Sequence, residues 1–146
     1  MKTSVMTRVV ARVLLVPALV VALAILIKGY ADTGDGFNAG VIAALGMLLQ
    51  YVAFGYEEAE RMMPVRLVAV IAFGGLLLSL AVALLPLFWG LAIFTHVPGP
   101  GEEVIHLGTV ELITPVVFDI GVFMLVFGFA VGAIDLLARA IHRRET

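Results

Sequence analysis

Four stretches of the chain stay apolar for about the length of a membrane crossing. They cover about 9–27, 37–54, 65–88 and 112–137, and a helix needs roughly 20 residues to cross the hydrocarbon core. The first is interrupted only by Arg12 and Pro17, and the second has Gln50 as its most polar residue. The third continues apolar to about Phe94, long enough to tilt or to break near Pro86, and the fourth contains Pro115, Asp119 and Asp135. These runs predict an all-α fold: an integral membrane bundle of four transmembrane helices in a single domain over 1–146.

Composition closes off the soluble alternative. The chain is 62% hydrophobic and 14% charged, whereas soluble domains sit near 45–50% apolar and about 25% charged. With 146 residues there is too little interior to hide that surface, so lipid must act as part of the solvent. A net charge of −2 offers no basic field for nucleic acid. The absence of cysteine removes disulfides, thiolate metal sites and a thiol nucleophile.

Lys2 and Arg8 ahead of an apolar stretch resemble the start of a signal peptide. The stretch exceeds the usual 7–15 residues of such a segment, and Lys28 sits where a neutral region belongs, so a retained helix is expected. Charge then sets orientation. Lys2, Arg8, Arg12, Arg61, Arg66, Arg139, Arg143 and Arg144 fall on one side of four alternating spans, and only Lys28 on the other. Both termini should be cytoplasmic, in a multi-pass protein of the cell membrane.

Gly34-Asp35-Gly36-Phe37-Asn38-Ala39 satisfies the G-x-G-x-x-A pattern of a dinucleotide loop. That pattern works only between a strand and a helix, with an acid about 20 residues on. Here a membrane-length helix precedes it and a second follows, so no nucleotide is expected. Asp32, Asp35 and Asn38 lack the spacing of a calcium loop. The stretch reads instead as a tight turn into the second span, with Asp35 placed to suit the positive end of that helix. Gly36 and Gly40, and on the fourth span Gly121, Gly128 and Gly132, form small-residue stripes that let helices approach closely, within the bundle or against other subunits.

The fourth span carries the acids. On a continuous helix Glu111 and Asp119 would lie about 80° apart, and Pro115 would break the bond to the Glu111 carbonyl. With Thr114, these groups would gather near the outer end. An intramembrane acid marks a functional site by default, yet Asp119 can equally serve as a bond between helices. Asp119, Glu111, Thr114 and Asp35 are therefore the candidate ion-path or interhelical polar residues. Asp135 reads as interfacial, Lys28 and Gln50 as snorkelling or interhelical bonding, and 56–61 as a solvated turn. Glu103-x-x-His106 is half of a di-iron pattern and needs a second copy. With His96 and Glu102, it reads as polar residues on a loop. No catalytic residue, metal site or cofactor is expected, and a membrane-bound enzyme is disfavoured because no histidine falls within a span.

Two stretches together resemble the MnhB/MrpB family, the B subunits of the multisubunit Mrp-type cation/proton antiporters. Thr33-Gly34-Asp35-Gly36-Phe37-Asn38-Ala39-Gly40 stands where that family has P-G-G-G-F-x-G-G. Residues 108–122, read as G-T-V-E-L-I-T-P-V-V-F-D-I-G-V, match its G-T-x-x-x-x-T-P-x-x-F-D-x-G-V. Thr33, Asp35 and Ala39 depart from the pattern, and Asp35 adds an acid where the family has glycine. The resemblance implies an accessory subunit of a sodium/proton antiporter, contributing to assembly and to lining an ion path. Its partners would be other membrane subunits, the bilayer, Na+ and H+. Related subunits occur in energy-converting hydrogenases, which keeps a membrane arm of that kind as an alternative. A stand-alone homo-oligomeric channel is a third.

Overall fold

The computed structural model describes residues 4–28, 34–62, 65–93, 105–107, 110–112 and 114–145. Asp32, Thr33, His96, Glu102 and Glu103 lie outside the described residues. Four helices are long and apolar enough to cross a membrane. They are α1 (Val5–Lys28), α2 (Asp35–Phe54), α4 (Val65–Leu84, continued by a 3-10 turn over Leu85–Trp89) and α5 (Thr114–Glu145). The 3-10 turn contains Pro86, whose ring cannot occupy a helix interior without removing a backbone bond.

The main helix pairings are α4 with α5, α5 with α2, and α2 with α1. The helices thus stand in a row, in the order α4–α5–α2–α1. Half of the most apolar window of α2 is buried, against 11% in α1. The inner position therefore belongs to the helix with the small residues Gly36, Ala39, Gly40, Ala43 and Ala44 on its packed face. Around them Met47, Tyr51, Phe127 and Val131 form the core.

Three features differ from the sequence expectation. The 56–61 connection is not a solvated turn but a helix, α3 (Tyr56–Met62). Gly55, at φ 85, ends α2 in a conformation open chiefly to glycine. Glu57 and Glu58 in the first turn of α3 and Arg61 in its last complement its dipole, and Ala59 is fully buried. The fourth span runs on to Glu145, well past the expected 137. At 1.5 Å per residue, its 32 residues reach about 48 Å, beyond a core about 30 Å thick. Its last turns can therefore pair with α3 outside the apolar layer. Third, a two-stranded antiparallel hairpin precedes α5: β1 (Ile105–Leu107) and β2 (Val110–Leu112), with His106 opposite Glu111.

Candidate functional site

Asp119 lies in the second turn of α5, 2% exposed, against the start of α2. Gly34 precedes α2 in a left-handed conformation, φ 111, and has no side chain to cap the helix. Its N–H donates instead to Asp119 Oδ2 at 3.3 Å. A carboxylate from the neighbouring helix thus takes up a backbone donor at the N-terminus of α2, at the positive end of its dipole. Asp35, the first residue of α2, brings a second carboxyl group to the same place.

The backbones must touch for this to happen. A β-carbon at Gly36 would collide with the Asp119 carbonyl, and one at Gly40 would lie 2.9 Å from Val126 Cβ. Gly121 and Gly128 do the same on the other side of α5. A β-carbon there would come within 2.8 Å of the Ser79 nitrogen and 2.6 Å of the Ala72 nitrogen. Gly132 faces Val68 at an ordinary 3.6 Å. These glycines therefore act inside the chain, drawing α2 and α4 onto α5. Gly75 completes the α4 seam, since a β-carbon there would strike the Leu125 nitrogen. The Gly74-Gly75 pair inside an apolar run was the available sequence signal for it.

The other expected members of the site do not gather as the helical spacing required. Pro115 is the second residue of α5, so it opens the helix rather than breaking it. Its missing N–H belongs to a turn in which no partner is needed. Glu111 is on β2, opposite His106, and so has no helical phase relative to Asp119. Thr114 is the first residue of α5, more than a turn from Asp119. Among the described residues, no cluster of three or more His, Cys, Asp or Glu groups could hold a metal ion.

A second polar centre lies at the opposite end of the same interface, the end that holds both chain termini. Asp135 is fully buried between the helices. It accepts from the Tyr51 hydroxyl at 3.0 Å and from Arg139 Nη2 at 3.4 Å. The same Nη2 donates to Glu60 Oε1 at 3.2 Å, and the guanidinium lies 5.6 Å from the Tyr56 ring centroid. The His142 ring lies tilted against Tyr56 with centroids 5.6 Å apart, and His142 pairs with Glu57 at 3.6 Å. The neighbouring Glu60 carboxylate pushes the Tyr56 pKa above its ordinary value. This network joins α2, α3 and α5. Gln50 is fully buried and bridges the last pair of helices, its Nε2 donating to the Ala11 carbonyl of α1 at 2.8 Å. Lys28 is the exposed last residue of α1.

Residues 6–132 match a protein family described as "Domain related to MnhB subunit of Na+/H+ antiporter". The chain is 30% identical to the B subunit of a Na(+)/H(+) antiporter of Bacillus subtilis over 111 residues, 76% of each chain. It is 29% identical to the equally named protein of Alkalihalophilus pseudofirmus, over 75% of each chain. It is also 33% identical to part of a probable K(+)/H(+) antiporter protein of Rhizobium meliloti whose name joins the A and B subunits, covering 77% of this chain and 11% of that one. With four membrane-length helices, a close-packed glycine seam and a match over most of its length, the chain belongs to the MnhB family.

Proposed function

We propose that this multi-pass membrane protein is an accessory subunit of a multisubunit monovalent-cation/proton antiporter in the cell membrane, with both termini cytoplasmic. The observation that carries the proposal is the family match over residues 6–132, together with relatives named as antiporter B subunits. The Rhizobium relative supports a neighbour of the large antiporter type, because its name joins A and B in one chain. The row of helices agrees with this role. Large apolar side chains stay exposed along both edge helices, among them Val16 and Val20 on α1 and Val70, Phe73 and Leu77 on α4, where lipid or other subunits cover them.

Within that role Asp119 serves as an interhelical latch. Its carboxylate accepts from the Gly34 N–H at the start of α2, and an acid so placed holds two helices in register. Purification in mild detergent tests the assignment by bringing down large antiporter-like membrane subunits. A chain that migrates alone and conducts ions after reconstitution would overturn it, and co-purifying iron–sulfur subunits would move it to the hydrogenase class. In the intact complex, Asp119→Asn should leave cation affinity unchanged. A collapse of exchange in a fully assembled complex would make Asp119 part of the ion path.

A further inference from the structure

A cleft of about 480 Å³ opens beside α1 at the end that holds the chain termini, lined by Arg8, Val9, Arg12 and Val13 of α1, Phe54 of α2 and Glu58 of α3. Its volume falls in the range of small-ligand sites, about 300–1,000 Å³. Arg8 and Arg12 are four residues apart, so they project from one helix face with their β-carbons about 6 Å apart. The Arg12 guanidinium stands 5.1 Å from the Phe54 ring centroid, which covers its flat face and leaves its N–H edges to donate. Among the described residues, neither arginine has a carboxylate within ion-pair distance. Glu58, the one acid on the rim, is paired with Arg61 at 3.8 Å.

Depth decides what the cleft can take. Helix α1 has 24 residues and reaches about 36 Å, a little longer than the ~30 Å hydrocarbon core. Arg8, three residues in from the start of α1, therefore sits at the headgroup level, and Arg12 lies one turn deeper with a side chain long enough to reach back. Val9 and Val13, between and below them, remain 57% and 64% exposed, an apolar wall running into the membrane. A site with two fork-shaped cations above and exposed aliphatic carbon below matches a molecule built in the same order. We propose that this cleft holds an anionic phospholipid, with Arg8 and Arg12 gripping its phosphate and the acyl chains lying along Val9 and Val13. Two guanidinium groups on one phosphate form charge-assisted bonds, the strongest class available, and basic pockets between membrane helices are known to take such headgroups.

The proposal does not depend on the antiporter assignment, and it can be tested in whatever assembly the full chain forms. Native mass spectrometry of the delipidated protein, titrated with phosphatidylglycerol or phosphatidylcholine, should show at least tenfold preference for the anionic lipid. Arg8→Gln and Arg12→Gln should each weaken phosphatidylglycerol about fivefold, the increment of one basic residue against anionic lipid. Glu58→Gln should strengthen binding by up to about fivefold, a gain that misfolding cannot imitate. Equal retention of phosphatidylcholine, or no response to the three substitutions, would overturn the proposal. So would full displacement by millimolar inorganic phosphate, which would leave a free-anion site. Capture of another protein chain by a photo-crosslinker at Val9 would equally overturn it, since a neighbouring polypeptide would then fill the cleft.

Discussion

The two ends of the α2–α5 interface each bury an aspartate, and they neutralise it in opposite ways. At one end Asp135 meets a tyrosine hydroxyl and a full cation, Arg139, which is itself shared with Glu60. At the other, Asp119 meets the Gly34 backbone N–H at the start of a helix, whose dipole amounts to about half a charge. The first arrangement is a side-chain network with built-in redundancy; the second is a latch made from backbone. A network tolerates small displacements because its arms are long. A latch works only while Gly34 and Gly36 lie against α5, which explains why a β-carbon at Gly36 has no room there.

The contrast can be broken most forcefully at Asp135. Asp135→Leu strands the Tyr51 hydroxyl and half of the pairing of Arg139, and should cost about 3 kcal/mol, read as a fall in the thermal midpoint of the purified complex. Next comes Gly36→Ala, which pits a methyl group against backbone rather than a yielding side chain. It should cost about 2 kcal/mol and weaken assembly while leaving the Asp135 end intact, as disulfide crosslinking of cysteine pairs at each end would show. Asp119→Asn keeps an acceptor for Gly34 and loses only the charge–dipole attraction. The expected loss is about 1 kcal/mol, and a loss matching that of Asp135→Leu would erase the distinction between network and latch. The smallest effect concerns pH. The Tyr56 hydroxyl, held protonated by Glu60, has its pKa raised above 10, so its contribution is complete below about pH 10 and lost as pH climbs through the raised value. Tyr56→Phe should flatten that alkaline limb in a pH series of thermal midpoints and leave the neutral region alone.

The four spans were legible because length and apolar content alone decide them. Their ends were harder. An apolar-run criterion stops α5 near Leu137, yet Arg139 and His142 carry the helix onward by pairing with Glu60 and Glu57, partners about eighty residues away in sequence. Asp119 was legible as a buried acid. Its partner was not, because the Gly34 N–H is a backbone group 85 positions distant, and side-chain types say nothing about backbone donors. The burial of Asp135 was not legible, because a cluster of arginines beside it reads as solvated, whereas Arg139 turns inward to pair with it. Glu111 failed for a different reason: helical phase was extended across Pro115, and a proline in that position starts a helix as readily as it breaks one. The glycine stripes were visible in sequence, but their targets were not.

Among the described residues, four long helices standing in a row make a wall, and a wall one helix thick encloses nothing. Any aqueous conduit that this row of helices borders has to be closed on its open side by something beyond the described residues, a neighbouring subunit or a second copy of the chain, because half a tube has no radius of its own. A substitution on either broad side would then act in part by shifting the seam with that neighbour, and in kinetic data that part would pass for a lesion in the neighbour.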